Sequence, residues 1–238
     1  MPRIYATSDL HGQLPEIPDC DALLIVGDIC PDFGARGPEK LTSYGLETSG
    51  EQQADWLMTT FREWLNDLTE RDILVLSIWG NHDFVGEHKP LVDSLFLPWT
   101  LLQDETKVIK FKDGQELSIH GTPWVPNLPN WAFYASPMML KARADAIPRN
   151  LDILMAHGPP YGYGDMVGPK FGGPVRVGDE ALAYHAETSR LASTILCGHI
   201  HEDGGSYRIN DHTLVRNVSY VDENYKPNQE PVLLDEFL

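Results

Sequence analysis

The sequence predicts an α/β fold, and three observations carry that reading. Short continuous apolar runs such as Ala22-Leu23-Leu24-Ile25-Val26 and Ile73-Leu74-Val75-Leu76-Ser77-Ile78 are rich in aliphatic and β-branched residues and too short for a typical helix, so they read as buried strands. Between some of them the apolar spacing becomes helical, which predicts a central sheet covered on both sides. Each run stops at a cluster of Gly, Asp, Asn or His, and ligand sites in such sheets gather at the carboxyl ends of strands.

The 238 residues suit a single domain, 1–238, with ample material for a layered core, and 42% hydrophobic with 22% charged residues is a globular balance. Thirty-five acidic against 18 basic residues leave a net charge of -17, which disfavours a protein that tracks along extended nucleic acid. A small anionic substrate would need something locally positive in its pocket. Cys20, Cys30 and Cys197 form no Cys-x-x-Cys pair, which reads as a reducing compartment. The chain enters a strand almost at once, leaving no room for a signal peptide, and Pro98 cuts the run Leu95-Phe96-Leu97 far short of a membrane span. A soluble cytoplasmic protein is expected.

In chain order, Arg3 to Thr7 is a strand ending in Ser8-Asp9-Leu10-His11-Gly12; on an extended segment Asp9 and His11 share a face and can reach one ion. Ala22 to Val26 ends in Gly27-Asp28. From about Cys30 to Gly50 no period is visible, and a long loop is predicted. A helix then runs from Ser49 to about Glu70, with Trp56, Leu57, Phe61, Trp64, Leu65 and Leu68 on its apolar face. The next strand stops at Trp79-Gly80-Asn81-His82-Asp83-Phe84, where the glycine permits close backbone approach and the three polar residues offer a neutral oxygen ligand, a base and a carboxylate.

Pro90 to Leu97 predicts a short helix, and Lys107 to Phe111 with Glu116 to His120 predicts a hairpin about Asp113-Gly114. The loop Thr122 to Pro137 carries Trp124, Trp131, Phe133 and Tyr134, which either pack onto the sheet or form a stacking wall for a base or aryl group. Met138 to Ala146 reads as a helix, and the strand Leu151 to Ala156 stops at His157-Gly158-Pro159-Pro160. The glycine-rich loop Tyr161 to Gly178 lacks Gly-x-x-x-x-Gly-Lys-Ser/Thr and is not a nucleotide P-loop. A helix over Asp179 to Leu191 and a strand over Thr194 to Cys197 lead to Gly198-His199-Ile200-His201, and one or two strands follow within Tyr207 to Asn217. His88, His120, His185 and His212 sit in no motif and read as surface or core residues.

Nitrogen and oxygen donors without thiolates favour Mn, Fe, Zn, Ni or Co over a structural cysteine zinc site. The ordered series Asp-x-His, Gly-Asp, Gly-Asn-His-Asp, His-Gly-Pro-Pro, Gly-His-x-His spans nearly the whole chain and resembles the calcineurin-like metallophosphoesterases. His157-Gly158-Pro159-Pro160 followed by Gly-x-Gly-Asp at Gly162 to Asp165 resembles the metallophosphoesterase-domain-containing branch, associated with phosphodiester hydrolysis.

The resemblance implies a four-layer α-β-β-α sandwich of two mixed sheets, with a dimetal site at strand C-terminal ends. It implies one metal held by Asp9, His11, Asp28 and His201 and another by Asp28, Asn81, His157 and His199, with Asp28 bridging. Manganese is the expected ion, with Fe, Zn, Ni and Co as alternatives. The implied reaction is attack on a small nucleotide-like or aryl phosphodiester by a water acidified between the ions. His82 would contact the phosphoryl group or protonate the departing alkoxide, with Asp83 orienting its other nitrogen.

The rival reading is a phosphomonoesterase or protein phosphatase, and the non-enzyme alternative is a metal-binding scaffold. Against the protein phosphatases, Ile29-Cys30-Pro31-Asp32-Phe33-Gly34 lacks their Asp-Arg-Gly signature, and Asp83 stands where they have Glu. The expected partner is a small phosphoester, with no extended nucleic acid and no membrane; the oligomeric state stays open. Arg36, Lys40, Lys170 and Arg176 are either contacts to a second phosphate or ribose or solvated loop charges.

Overall fold

Strands that are buried along both faces are satisfied by stacking two β-sheets on each other and covering their outer faces with helices. The computed structural model describes residues 2–33, 43–126, 128–168 and 173–234. Strands β1 (Ile4–Thr7) and β2 (Ala22–Val26) precede α1 (Ser43–Trp56), which passes through a π-helical turn (Leu57–Phe61) into α2 (Arg62–Glu70). Next come β3 (Leu74–Ile78), a 3-10 turn (Phe84–Glu87), α3 (Lys89–Ser94), β4 (Thr100–Leu101), β5 (Glu105–Lys110), β6 (Glu116–Thr122), β7 (Val125–Pro126) and β8 (Tyr134–Ala135). The chain continues through α4 (Pro137–Ala146), β9 (Leu151–Ala156), β10 (Met166–Val167), β11 (Val175–Arg176), α5 (Glu180–Thr188) and β12 (Ala192–Cys197). A 3-10 turn (His201–Asp203), β13 (Gly205–Asn210), β14 (Thr213–Asn217) and β15 (Val232–Leu233) complete it.

One sheet has the order β15-β1-β2-β3-β4 and the other β13-β14-β12-β9-β6-β5. Both are mixed: β1, β2, β3 and β4 are parallel with β15 antiparallel, while β6, β9, β12 and β14 are parallel with β5 and β13 antiparallel. Between the sheets, Ile4, Ala6, Leu24, Val26, Leu76 and Ile78 meet Leu117, Ile119, Ile153, Met155 and Leu196. The alternate residues Tyr5, Leu23, Ile25 and Val75 point outward onto Leu57, Phe61, Leu65 and Leu68. On the far side Leu154, Ile195 and Val215 pack with Ile147, Leu182 and Ala186. Each fully buried aliphatic or aromatic side chain contributes roughly 1.5–3 kcal/mol, so these three layers of contact hold the four structural layers together.

The four-layer sandwich implied by the family resemblance is present, whereas the single central sheet read from the apolar runs is two sheets. A strand buried on both faces looks alike in sequence whether its second cover is a helix or another sheet. The first helix starts at Ser43, inside the predicted loop, because its opening turns carry no apolar stripe to announce them. Helix α5 ends at Thr188 and is capped by Asp179, whose carboxylate accepts from the Ala181 and Leu182 amides. The two-residue β15 was not foreseen; it gains its strand geometry only by pairing with β1. Arg36, Lys40 and Lys170 lie outside the described residues. Among the described residues, no helix is long and apolar enough to cross a membrane.

Candidate metal centre

β1, β2 and β3 lie side by side and parallel in one sheet, as do β9 and β12 in the other, so their polar C-terminal extensions can meet. They meet where the two sheets are stitched together. Across the two sheets Ser8 forms a bridge with Ser219 and its amide donates to Val218 O at 3.0 Å, while within the six-stranded sheet the Gly198 amide donates to His157 O at 3.0 Å. Asp9 N donates to Gly27 O at 3.0 Å and His11 N to Asp28 O at 2.9 Å, lacing the first two strand ends together.

Asp9, His11, Asp28 and His199 all adopt left-handed backbone, with φ of 56°, 46°, 51° and 68°. For non-glycine residues that conformation costs on the order of 1–2 kcal/mol each, so strain is concentrated at these strand ends. Asp9 and His11 therefore converge by a turn rather than by the shared face of an extended strand. Glycines make the remaining room: a Cβ at Gly27 would lie 2.5 Å from His157 Nδ1, and one at Gly198 would collide with Ser8 Oγ and the Asp9 carboxylate.

The seven predicted ligands come together. Asp9, His11 and His201 form one group and Asp28, His157 and His199 a second, the donor atoms within each lying within 4.8 Å of one another. Asp28 Oδ2 is 3.3 Å from His157 Nε2 and 3.9 Å from His11 Nε2, so this carboxylate spans both groups. Asn81 Oδ1 stands 3.1 Å from His157 Nε2. Asp28 Oδ1 also accepts the His82 amide at 2.7 Å, and Asp9 is fixed by the His199 amide at 3.0 Å and Ser219 Oγ at 2.8 Å.

The donor set fits cations. His157 Nδ1 donates to Val26 O at 2.8 Å and His201 Nδ1 to Asp222 O at 3.1 Å, which turns each Nε2 inward. His157 Nε2 then faces the oxygens of Asp28 and Asn81, while His201 Nε2 faces Asp9 Oδ1 at 3.3 Å and His11 Nε2 at 3.4 Å. Lone pairs aimed at one another at these distances require a positive charge between them, a proton or a metal ion.

The electrostatics agree. Burial alone would raise the Asp9 and Asp28 carboxyls, but the histidines around them, His201 and His157 for Asp9 and His157 and His82 for Asp28, hold both well below the usual range. His157 is opposed by its own burial yet pushed up to about 9 by Asp28 and Asp9, a measure of how strongly its Nε2 side favours positive charge. Burial and nearby histidines push His199 down to about 3 and His11 down to about 4, keeping both rings neutral as ligands require.

His82 is at the same rim, its ring centroid 4.6 Å from that of His11 and 4.3 Å from Trp131. The expected role of Asp83 at its second nitrogen is not what the structure holds. His82 Nδ1 donates to Asp32 Oδ1 at 2.7 Å, whereas the buried Asp83 accepts the amides of Ile29 at 3.0 Å, Cys30 at 2.8 Å and Gly80 at 2.8 Å. Asp83 thus braces two ligand-bearing turns, because a side chain adjacent to His82 points back under the turn that carries it. Burial and the Asp28 charge push its carboxyl up to about 6 against the lowering effect of those amides. Asp32 was missed as a site residue; its signal was an acidic residue four positions beyond Asp28.

The aromatic loop divides: Phe133 is buried against Trp124, while Trp131 lines a cavity of about 1230 Å³ that opens from Asp28, Asn81 and His82. His120 is buried with Thr106 Oγ1 at 2.8 Å, and His185 pairs with Asp145 at 2.8 Å.

A model of the calcineurin-like phosphoesterase family matches residues 2–203. The chain is 27% identical over 255 residues to human metallophosphoesterase domain-containing protein 1, covering 98% of this chain and 70% of that protein. It is also 25% identical over 235 residues to UPF0046 protein C25E10.12 of Caenorhabditis elegans, covering 95% of this chain and 76% of that protein. A crystal structure superposes with a TM-score of 0.62 at 14% identity, covering 91% of this chain and 90% of the other, a likeness of fold. With its two-sheet sandwich, its seven converging N and O donors and a family match over most of its length, the chain belongs to the calcineurin-like phosphoesterases.

Proposed function

We propose that the protein is a dimetal phosphodiesterase acting on small phosphodiesters, with manganese as its working ion. The observation that carries this reading is the convergence of seven nitrogen and oxygen donors, including two buried carboxylates and no thiolate, at the mouth of a large cavity. Two divalent cations, when bound, supply Lewis acidity to the phosphoryl oxygens and bring a water toward ionisation near neutral pH.

The chain's own residues do the rest. Asp28 spans both ligand groups and keeps them adjacent. Asn81 and the neutral rings of His11 and His199 add donors without negative charge, so two carboxylates face a formal charge of about four positive and the pocket stays attractive to phosphate. Asp32 holds His82 by Nδ1, leaving Nε2 to carry a proton to the leaving alkoxide. The cavity extends well beyond the ligand rim to Pro137, Leu140 and Tyr184, giving room for substituents on both ester oxygens, where a monoester requires room for one.

The test is turnover of bis-p-nitrophenyl phosphate against p-nitrophenyl phosphate with Mn, Fe, Zn, Ni or Co supplied in turn. A higher kcat/KM on the diester with Mn is expected. A clear preference for the monoester would assign a phosphomonoesterase, and no turnover with any ion would assign a scaffold. In oxygen-labelled water the released phosphate ester should carry one label.

A further inference from the structure

Asp165 is fully buried, lies outside the metal ligands, and is the last residue of the Gly-x-Gly-Asp segment. Its Oδ1 accepts from Arg176 Nη1 at 2.6 Å, its Oδ2 from the Gly178 amide at 3.1 Å, and its carbonyl from the Val177 amide at 3.1 Å. The Arg176 side chain is 38% exposed and lines the same cavity as Asp28, His199 and His201. The carboxylate is the buried support of this pair, and the guanidinium side chain is the member at the cavity.

The position of Arg176 is tied to the metal centre through the backbone. In the β10–β11 pair Met166 stands opposite Arg176, and the Met166 amide donates to Asp203 Oδ2 at 2.8 Å, in the turn that begins at His201. Asn217 Nδ2 donates both to Gly164 O at 3.0 Å and to Ile200 O at 2.8 Å, joining the two segments a second time. Among the described residues, Lys141 and His185 on the same wall are held by neighbours from helix α4 and the segment after it: Lys141 Nζ with Asp145 at 2.6 Å, and His185 between Asp145 at 2.8 Å and Arg149 at 3.0 Å.

We infer that Arg176 binds a second anionic group of the substrate, a phosphate or carboxylate on the part of the molecule that stays outside the metal rim. This rests on the phosphoesterase reading and narrows its substrate class to phosphoesters bearing a further anion. A guanidinium carries five donors, and the buried carboxylate that takes one of them also holds the fork still, so little side-chain entropy is lost when an anion arrives. In a chain of net charge -17, with Glu202, Asp179 and Glu180 along the same cavity, a second anion needs such a fixed cation.

The test is calorimetric binding to the manganese-loaded full chain of two matched pairs: thymidine 5′-monophosphate with thymidine 3′,5′-bisphosphate, and propylphosphonate with 3-phosphonopropionate. In the native protein the second anion should tighten at least one pair by about 10- to 100-fold, the scale of one or two charge-assisted hydrogen bonds. In R176Q that gain should vanish. A gain that persists in R176Q, or no gain in either pair with the native protein, overturns the assignment. Turnover of bis-p-nitrophenyl phosphate by the native protein, measured alongside, separates failure of the diesterase reading from failure at Arg176.

Discussion

Replacing Asp83 by Ala tests whether this residue is a structural brace. Its carboxylate is wholly buried and accepts the amides of Ile29 at 3.0 Å, Cys30 at 2.8 Å and Gly80 at 2.8 Å, all of them buried bonds. Each buried donor left unsatisfied costs about 1–3 kcal/mol, so three bound the loss between about 3 and 9 kcal/mol. A water admitted to the vacated space would recover part of this, which places the expected loss near the lower end, at about 3–5 kcal/mol. With a urea m-value of about 3 kcal/mol/M for a chain of this size, the unfolding midpoint should drop by about 1–1.7 M. Tryptophan fluorescence across a urea titration measures it, and Asp83→Asn, which keeps an acceptor oxygen, should lose less than half as much. A loss below about 1 kcal/mol in Asp83→Ala would refute the accounting, because no arrangement of three orphaned amides is that inexpensive.

Four further outcomes follow from the same geometry. His82→Ala should lower kcat by about 10²–10⁴ while leaving bound manganese near the native stoichiometry, whereas Asp28→Ala should lose both; equal metal loss in elemental analysis would undo that division of roles. Asp32→Ala, which frees His82 Nδ1, should cost about 10- to 100-fold in kcat with unchanged metal content, and an unaffected rate would remove Asp32 from the site. Gly198→Ala drives a methyl group into Ser8 and the Asp9 carboxylate, so a manganese titration should show at least about tenfold weaker binding, the scale of lost ligand support. Chelation should lower the melting temperature and re-addition of manganese restore it, since a ligand at about 100 times its Kd adds about 2.7 kcal/mol per site; a melt indifferent to metal would contradict the centre.

Much of the centre was legible in one dimension because each ligand sits at the end of an apolar run. That placement marks the polar clusters, the family resemblance selects Asp9, His11, Asp28, Asn81, His157, His199 and His201 from them as ligands, and the structure brings all seven to one rim. What the strand pattern misjudged was how they arrive: Asp9, His11, Asp28 and His199 turn in through left-handed backbone, which no hydrophobic period encodes. The role of Asp83 was misread for a related reason. Neighbours in sequence point in different directions at a tight turn, so the carboxylate that reaches His82 comes from Asp32, 50 positions away.

Local chemistry alone determined which residues are apolar enough to be strands and which polar groups must lie at their ends, since burial and donor type are properties of single side chains and their close neighbours. Whether those strands form one sheet or two, and the pairing of Asp165 with Arg176 beside the centre, depended on contacts between segments far apart in the chain. Such contacts are selected by the global free-energy minimum, in which buried apolar area and satisfied hydrogen bonds are balanced over the whole chain at once.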